Sequence, residues 1–214
     1  MDKKSRFFAE GFGGSQDHGT LNLIPTSPEL QKPCEEAVKA LEQSFRQAGM
    51  TLKLCEALPL KGGEPSVLTE EDEHCFVEEA YQLRPSVGAR FIVTNCGLYN
   101  YWFSHWYSGF STALISIYDW DRIAPNLKVS SFIGYELLLH GLRTIYPAYQ
   151  PELYLHKESK GCLFDYCQDK TQVILKLQSG ILCSVCAERF NEKGINERPV
   201  RVVFESVRSL ALSS

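Results

Sequence analysis

The stretch Ala89-Arg-Phe-Ile-Val-Thr94 decides the fold class, because it is a β-branched run with the length of an inner strand. A second run of this kind, Thr112–Tyr118, follows it. Helical patterns lie before and after the two runs, at Ser27–Gln47 and Lys128–Leu142. This order of strands and helices predicts an α/β domain with a mixed, twisted sheet and flanking helices.

The N-terminal half supplies further elements of the same domain. Leu21–Ile24 and Thr51–Leu58 have strand composition, and Gly49 lies where a helix C-cap requires a residue without Cβ strain. Thr69-Glu-Glu-Asp72 resembles a capping box, so we expect a helix that begins there and ends near Arg84.

The composition is that of an ordinary globular protein, since 44% of the 214 residues are hydrophobic and 12% are aromatic; this excludes a disordered chain. The formal net charge of -4 removes the uniform basic field on which nonspecific nucleic-acid binding depends. Phe91–Tyr118 carries no charged side chain, but polar residues interrupt it too often for a membrane span. The N-terminus does not run into the apolar core of a secretory signal, so we expect a cytoplasmic protein.

Three segments are predicted along the chain. Residues 1–20 form a glycine-rich arm, residues 21–147 form the α/β domain, and residues 148–214 form a small zinc-binding tail that ends in a helix. The boundary is set by Pro147 and Pro151, because proline ends the preceding helix.

Eight cysteines divide into a scattered set and a cluster in the tail, which consists of Cys162, Cys167, Cys183 and Cys186. The spacing of the cluster, C-x4-C followed after 15 residues by C-x2-C, supplies two pairs of thiolates that could hold one tetrahedral Zn²⁺ ion. Four cysteine ligands leave no open coordination position, so the spacing predicts a structural ion. Two other interpretations stay open: reduced core cysteines, and a redox pair formed by Cys183 and Cys186.

A second metal site is predicted around the helix that precedes the tail. Glu136 and His140 are four residues apart, so they lie one turn apart on the same helix face. His156 could complete a Glu-His-His set of ligands, and Asp165 could accept the proton of a metal-bound water. The alternative is a surface hydrogen bond between Glu136 and His140.

A polar-aromatic segment, Tyr99–Tyr107, lies between the two strand runs and reads YNYWFSHWY. Flat, rigid side chains bind peptides or bases at a low entropic cost, so one interpretation is a binding cleft. The other is a cover for a sheet edge or an oligomer contact. We expect His105 to be a packing residue rather than a metal ligand.

In its layout and cysteine spacing the sequence resembles the archaemetzincins, a family of metzincin-type zincins. In that family the catalytic motif is followed by a zinc site of the form C-x4-C, a longer gap and C-x2-C, and the clustered cysteines match this form. The resemblance covers residues 88–190. It implies a zincin-like fold in which Thr112–Tyr118 is the edge strand and Lys128–Leu142 is the active-site helix.

The catalytic signature of that family, H-E-x-x-H-x-x-G-x-x-H, is not present in the chain. When its second histidine is aligned with His140, Glu136 takes the place of the first histidine and Leu137 that of the glutamate. The methionine expected beneath a metzincin zinc is also missing, because the methionines are Met1 and Met50. The resemblance therefore implies the scaffold and the structural zinc more than a peptidase.

These observations lead to two hypotheses of function. The first is a noncatalytic, zinc-stabilised module that binds a protein or peptide partner through its cleft and the aromatic segment. The second is a zinc-dependent hydrolase, a peptidase or amidase that uses Glu136, His140 and His156. A nucleic-acid contact has less support, because acidic residues near the cysteines partly neutralise the positive charge of the neighbouring lysines. These lysines are Lys157, Lys160, Lys170 and Lys176.

Overall fold

The structure is a computed structural model that describes residues 19–59, 66–83, 87–146, 149–167 and 169–213. Within these ranges the chain forms a five-stranded mixed sheet and seven α-helices, which confirms the predicted α/β class. Residues 1–18 of the predicted arm lie outside the described residues. None of the helices in these ranges combines the length and the apolar character that a membrane span requires.

The sheet is parallel except at one edge. Its strands are β1 (Thr20–Pro25), β2 (Thr51–Leu54), β3 (Ala89–Thr94), β4 (Ser104–Tyr107) and β5 (Thr112–Ser116). Their order is β2-β1-β3-β5-β4, and β4 alone among them runs antiparallel to its neighbour. The central position of β3 confirms that its β-branched run is an inner strand.

The expectation that Thr112–Tyr118 is the edge strand is wrong. β5 lies between β3 and β4, and it is β4, from within the aromatic segment, that forms this edge. β4 has only four residues, and polar and aromatic side chains fill all of them, so its sequence lacks the apolar run by which the other strands were found.

The helices are α1 (Gln31–Gln47), α2 (Glu70–Leu83), α3 (Trp120–Ile123), α4 (Val129–Ile145), α5 (Val173–Ser179), α6 (Ser184–Glu192) and α7 (Glu197–Leu212). Two predicted helix ends are confirmed. Gly49 lies just beyond α1 and has φ 82°, a backbone conformation that residues with a Cβ atom rarely adopt. At the start of α2 the Asp72 amide donates to Thr69 Oγ1 at 3.1 Å, and the Thr69 amide donates to Asp72 Oδ2 at 3.0 Å.

The two faces of the sheet pack against different helices, because side chains alternate along each strand. Leu23 and Phe91 belong to the larger core, which also contains residues of α1, α4 and α7. Ile24 and Ile92 belong to a smaller core under α2. The tail residues that follow α4 contribute to the larger core, so the metal-binding segment packs on the same helices as the sheet.

α4 lies in the middle of the larger core and is buried on nearly every side. It packs against the sheet on one side and against α1 and α7 on another. A helix buried all round is normally apolar, yet α4 carries Glu136 and His140, whose side chains are only 2% and 7% exposed. Both groups therefore need polar partners inside the protein.

Replacement of Phe204 by alanine tests the role of α7 in this core. Phe204 is fully buried and its ring lies 6.2 Å from that of Tyr135 on α4. The variant leaves a cavity between α7 and α4, so we expect the free energy of unfolding to fall by about 3–5 kcal/mol. Leu212→Ala is the control, because Leu212 is 52% exposed on the same helix. Equal effects of the two variants in urea denaturation would show that α7 is not part of the core.

A candidate metal centre

Four side chains of the tail converge on one point. They are His156, Cys162, Cys183 and Cys186, and one ligand atom from each lies within 4.8 Å of the other three. Tetrahedral Zn²⁺ with metal–sulfur bonds of about 2.3 Å places its ligand atoms roughly 3.8 Å apart, so a small contraction would bring this group to coordination distance. Cys162 and Cys186 are buried, and the other two are half-buried. The group could therefore hold a metal ion.

The start of α6 positions two of the thiols. Cys183 is the N-cap residue of α6, and Cys186 lies three residues later in its first turn. The positive end of the helix dipole and the unpaired amides of the first turn favour thiolate at this position. The Cys183 amide also donates to Cys162 Sγ at 3.4 Å, which joins the two cysteine segments.

The loop that carries Cys162 is held by a single carboxylate. Asp165 Oδ2 accepts hydrogen bonds from the amides of Lys160, Gly161 and Cys162, at 2.7, 2.6 and 3.1 Å. Gly161 has φ 79°, and a Cβ atom there would lie 2.2 Å from Ser179 Oγ. The tight loop thus depends on a glycine for its backbone and on Asp165 for its amides.

His156 presents its two ring nitrogens to different partners. Its Nε2 lies 3.6 Å from Cys183 Sγ, inside the cluster. Its Nδ1 lies 3.1 Å from the Glu158 carbonyl oxygen and 3.3 Å from Asp165 Oδ1. An Nδ1 proton shared with a carbonyl or carboxylate oxygen leaves the lone pair of Nε2 free for a metal, which is the usual arrangement behind a histidine ligand.

The cluster already favours one thiolate. The hydrogen bond from the Cys186 thiol, assisted by the Cys183 amide, lowers the pKa of Cys162, against the effect of burial. The same contact raises the pKa of Cys186, and burial raises it further. Metal binding would remove the remaining thiol protons, because thiolate is the form that ligates.

The structure brings together three of the four clustered cysteines and places the fourth elsewhere. Cys167 is not a member of the ligand group; burial raises the pKa of its thiol, and the charge of Lys176 opposes this shift. Three of the four predicted cysteines thus lie together with His156, and a zinc site made of all four cysteines stays a prediction. In the sequence, the observed set has the spacing H-x5-C followed by the C-x2-C pair. The C-x4-C spacing already supplied four cysteine ligands, so His156 was not considered as a ligand of this site.

The predicted Glu136-His140-His156 set is not brought together, because His156 lies among the cysteines. Among the described residues, the His/Cys group is the one cluster of three or more His, Cys, Asp and Glu side chains with metal-ligand geometry. Asp165, predicted to accept a proton from metal-bound water, instead holds the loop around Cys162 and faces His156. Glu136 and His140 do lie together, on one face of α4 as predicted.

Ser104 of β4 bridges Glu136 and His140. Its Oγ donates to Glu136 Oε2 at 2.7 Å and lies 2.9 Å from His140 Nε2. The ring of Trp106, two residues along β4, stacks on that of His140 with centroids 5.7 Å apart. His140 Nδ1 is buried and has no hydrogen-bond partner among the described residues. The pair is therefore an interior polar contact rather than the surface hydrogen bond considered above.

Burial sets the protonation of this pair. It raises the pKa of Glu136 to about 7, although the Ser104 hydrogen bond and the charge of Lys176 oppose the shift. Burial also lowers the pKa of His140 to about 3, and the charges of Arg143 and His105 add to this effect. His140 is thus neutral near pH 7, and the pKa of Glu136 lies near the same pH.

The other face of β4 holds a second acidic contact. Glu73 of α2 accepts from Tyr107 OH at 2.6 Å, and the same oxygen lies 2.6 Å from His105 Nδ1. His105 is therefore a hydrogen-bonding residue under α2. Part of the aromatic segment forms the edge strand β4, and the residues before β4 line a pocket.

That pocket has a volume of about 670 Å³ and lies beyond the carboxyl end of β5. Three segments form its walls: the end of the turn before β4, the residues that follow β5, and the residues that follow the Cys162 loop. Trp102, Tyr118, Tyr166, Cys167 and Lys170 are among the lining residues. Cys167, which is not part of the His/Cys group, thus lies at a surface cavity.

The fold and the site define the chain as an α/β protein with a mixed five-stranded sheet and a His/Cys group that could hold a metal ion. No protein-family model matches the sequence, and no curated protein is detectably similar to it.

Two cysteine variants distinguish the observed ligand set from the predicted one. We expect Cys186→Ser to weaken metal binding by more than about 100-fold, a larger loss than a change behind the ligands produces, because it removes a ligand atom. Cys167→Ser is the matched control and should retain the affinity of the native chain. Titration with Co²⁺, followed by its visible absorption in thiolate sites, measures both. Comparable losses in both variants would restore the four-cysteine site.

Asp165→Asn tests the carboxylate behind the site. Asparagine is neutral and has an NH2 group in place of one carboxylate oxygen, so the variant loses either the charge that faces His156 Nδ1 or the acceptor of the three backbone amides, and we expect metal affinity to fall about 10–100-fold. Asp169→Asn is the control, because Asp169 is exposed and caps a different turn through the Thr171 amide. An Asp165→Asn variant with native Co²⁺ affinity would show that the carboxylate does not support the ligands.

Proposed function

We propose that the chain is a noncatalytic, zinc-stabilised module of metzincin-like design, which binds a protein or peptide partner through the pocket beside the aromatic segment. The observation that carries the proposal is the four-ligand His/Cys set. Four protein ligands complete the coordination of tetrahedral Zn²⁺ and leave no position for a substrate or an activated water. Thiolate and imidazole ligands together are also the set that zinc most often takes in proteins.

A zinc ion here would join segments that have little regular structure of their own. His156 and Cys162 lie in loops, and among the described residues between them and α6 the one α-helix is α5, which has seven residues. Binding free energies at such sites are of order 10 kcal/mol, which is comparable to the stability of a whole domain. The ion would supply cross-linking rather than chemistry, and His156, Cys162, Cys183 and Cys186 would hold it.

The metzincin-like part of the proposal rests on layout. A sheet, a central helix with Glu136 and His140, and a cysteine-bearing tail follow one another in the order that the archaemetzincin resemblance implies, although the edge strand is β4 and not the implied Thr112–Tyr118. Two features depart from the resemblance: the catalytic histidine motif is absent from the sequence, and His156 rather than Cys167 lies with the other three cysteines. The absent motif favours a scaffold without the catalytic ion, and the four-ligand group is compatible with a structural ion.

The alternative, a zinc-dependent hydrolase, has less support. Its proposed third ligand, His156, belongs to the His/Cys set, and Ser104 already contacts His140 Nε2. The specific observation in its favour is the unpartnered Nδ1 of His140, which could face a ligand. A nucleic-acid contact is weaker still, because Lys176 is buried and Lys160 pairs with Glu158.

Metal analysis of the native protein, purified without added zinc, tests the proposal. We expect one zinc per chain in both the native protein and His140→Ala, because His140 is not a ligand of the His/Cys set. Two zinc ions, with one lost in His140→Ala, would favour the hydrolase. The absence of any transition metal would overturn the metal part of both.

Removal of the metal should lower stability. In the chelated protein the ligand thiols lose their common partner, so we expect Tm to fall by more than about 10 °C, since 1 kcal/mol corresponds to roughly 2–4 °C in a chain of this size. Differential scanning calorimetry with and without chelator measures the shift. The Cys186→Ser variant is the control, since chelator should not change its Tm further. An unchanged native Tm would contradict a structural role for the ion.

A further inference from the structure

The pocket beside the aromatic segment has a position typical of ligand sites. In sheets with mainly parallel strands, ligands bind beyond the carboxyl ends of the strands, where loops converge. Tyr118 and Asp119 lie two and three residues beyond the end of β5, and Trp102 and Phe103 directly precede β4. A volume of about 670 Å³ is within the range of small-ligand and side-chain pockets.

Aromatic side chains on the pocket walls are left open to solvent. Tyr101 is 63% exposed and Trp102 is 42% exposed. The rings of Trp102 and Tyr166 lie 6.1 Å apart at an angle of 60°, so they form a fixed pair across two wall segments. Exposed, rigid aromatic rings that share one cavity mark a surface that gains free energy when it is covered.

Backbone strain is concentrated at the same place. Four non-glycine residues have positive φ within the described part of the chain, and three of them line this pocket: Asn100, Tyr101 and Asp119. Such conformations cost of order 1–3 kcal/mol each and persist where the surrounding structure imposes them. The surrounding structure therefore fixes the backbone of two pocket walls before any ligand binds. One wall is the turn before β4 that contains Tyr101, and the other is the segment that follows β5.

The pocket contains one cation without an acidic partner at ion-pair distance among the described residues. Arg122 donates to Asp119 Oδ2 at 2.7 Å, so that pair is internally neutralised. Asp169 accepts from the amide and the hydroxyl of Thr171. Lys170 instead lies over the Phe103 ring, with its Nζ 5.0 Å from the ring centroid. Burial lowers the pKa of Lys170, while the charge of Asp119 partly offsets this, so an anion that paired with Lys170 would gain from its incomplete solvation.

We propose that this pocket binds an acidic peptide segment, whose aromatic side chain stacks on the Trp102–Tyr166 pair and whose carboxylate pairs with Lys170. The inference rests on the proposed binding function and names the chemistry of its partner. A peptide fits better than a small molecule because sites for small molecules bury most of the ligand, whereas Tyr101 and Trp102 leave this cavity open along one side.

Binding of a blocked acidic peptide to the full, metal-loaded chain tests the inference. The ligand is acetyl-Gly-Glu-Tyr-Glu-Gly-amide, and the controls are the peptides with lysine in place of glutamate and with alanine in place of tyrosine. Isothermal titration should give a measurable Kd for the first peptide and at least tenfold weaker binding for both controls. Binding should also weaken with added salt, because a half-exposed ion pair contributes to it.

Protein variants locate the contact. Trp102→Ala should weaken binding about tenfold through the lost ring contact, and Trp102→Phe should recover most of it. Lys170→Gln should weaken it about fivefold through the lost ion pair. Lys193→Gln is the matched control, since Lys193 is exposed on the loop after α6. Trp102 is itself half exposed, and near-native circular dichroism of each variant would verify its fold.

Several outcomes would overturn the inference. Equal binding of the lysine peptide, or an unchanged Kd in Lys170→Gln, would show that charge pairing is absent. Tighter binding of indole-3-acetate than of the peptide would assign the pocket to small aromatic acids instead. No binding of the acidic peptide at millimolar concentration would remove the acidic peptide as its ligand. If zinc is nevertheless present at one per chain, the structural zinc stands and this ligand assignment alone fails.

Discussion

The carboxylate of Asp165 holds the metal-binding segment in shape. One of its oxygens accepts three successive backbone amides around Cys162, and the other faces the imidazole of His156. One buried negative charge thus fixes a loop and a histidine on separate stretches of chain, which a short segment without regular structure could not do by packing alone. The ligand geometry depends on this contact, and so does the proposal of a structural ion.

β4 connects the polar interior of the protein to its surface. Its alternate side chains meet a glutamate on each side of the sheet: Ser104 contacts Glu136 of α4, and Tyr107 donates to Glu73 of α2. A strand of four residues would be held only weakly at the sheet edge if its hydrogen bonds to β5 were its only polar contacts. The two glutamates fasten it, and this keeps the aromatic residues that precede it in place at the pocket.

The sequence predicted those elements whose residues follow a simple period. A β-branched run predicted β3, and a helical pattern predicted α4. The end of α1 was predicted from Gly49, because a helix C-terminus favours a glycine with positive φ. β4 was missed as a strand because its four residues, Ser-His-Trp-Tyr, contain no run of apolar or β-branched residues. His156 was assigned to a different site because spacing along the chain cannot tell which side chains a fold turns inward. The thiol of Cys167 has the spacing of a ligand, but the fold directs it to Lys176.

α7 packs on α1 and α4, two helices that are synthesised well before it. Its valines and Phe204 complete the core that those helices share with the sheet. During synthesis the parts of α1 and α4 that α7 covers are therefore exposed until α7 has been made, although the sheet can already cover their other faces. Until residues 197–212 are available, the nascent chain is exposed to aggregation and chaperone capture, and its folding is governed by contacts between distant parts of the sequence.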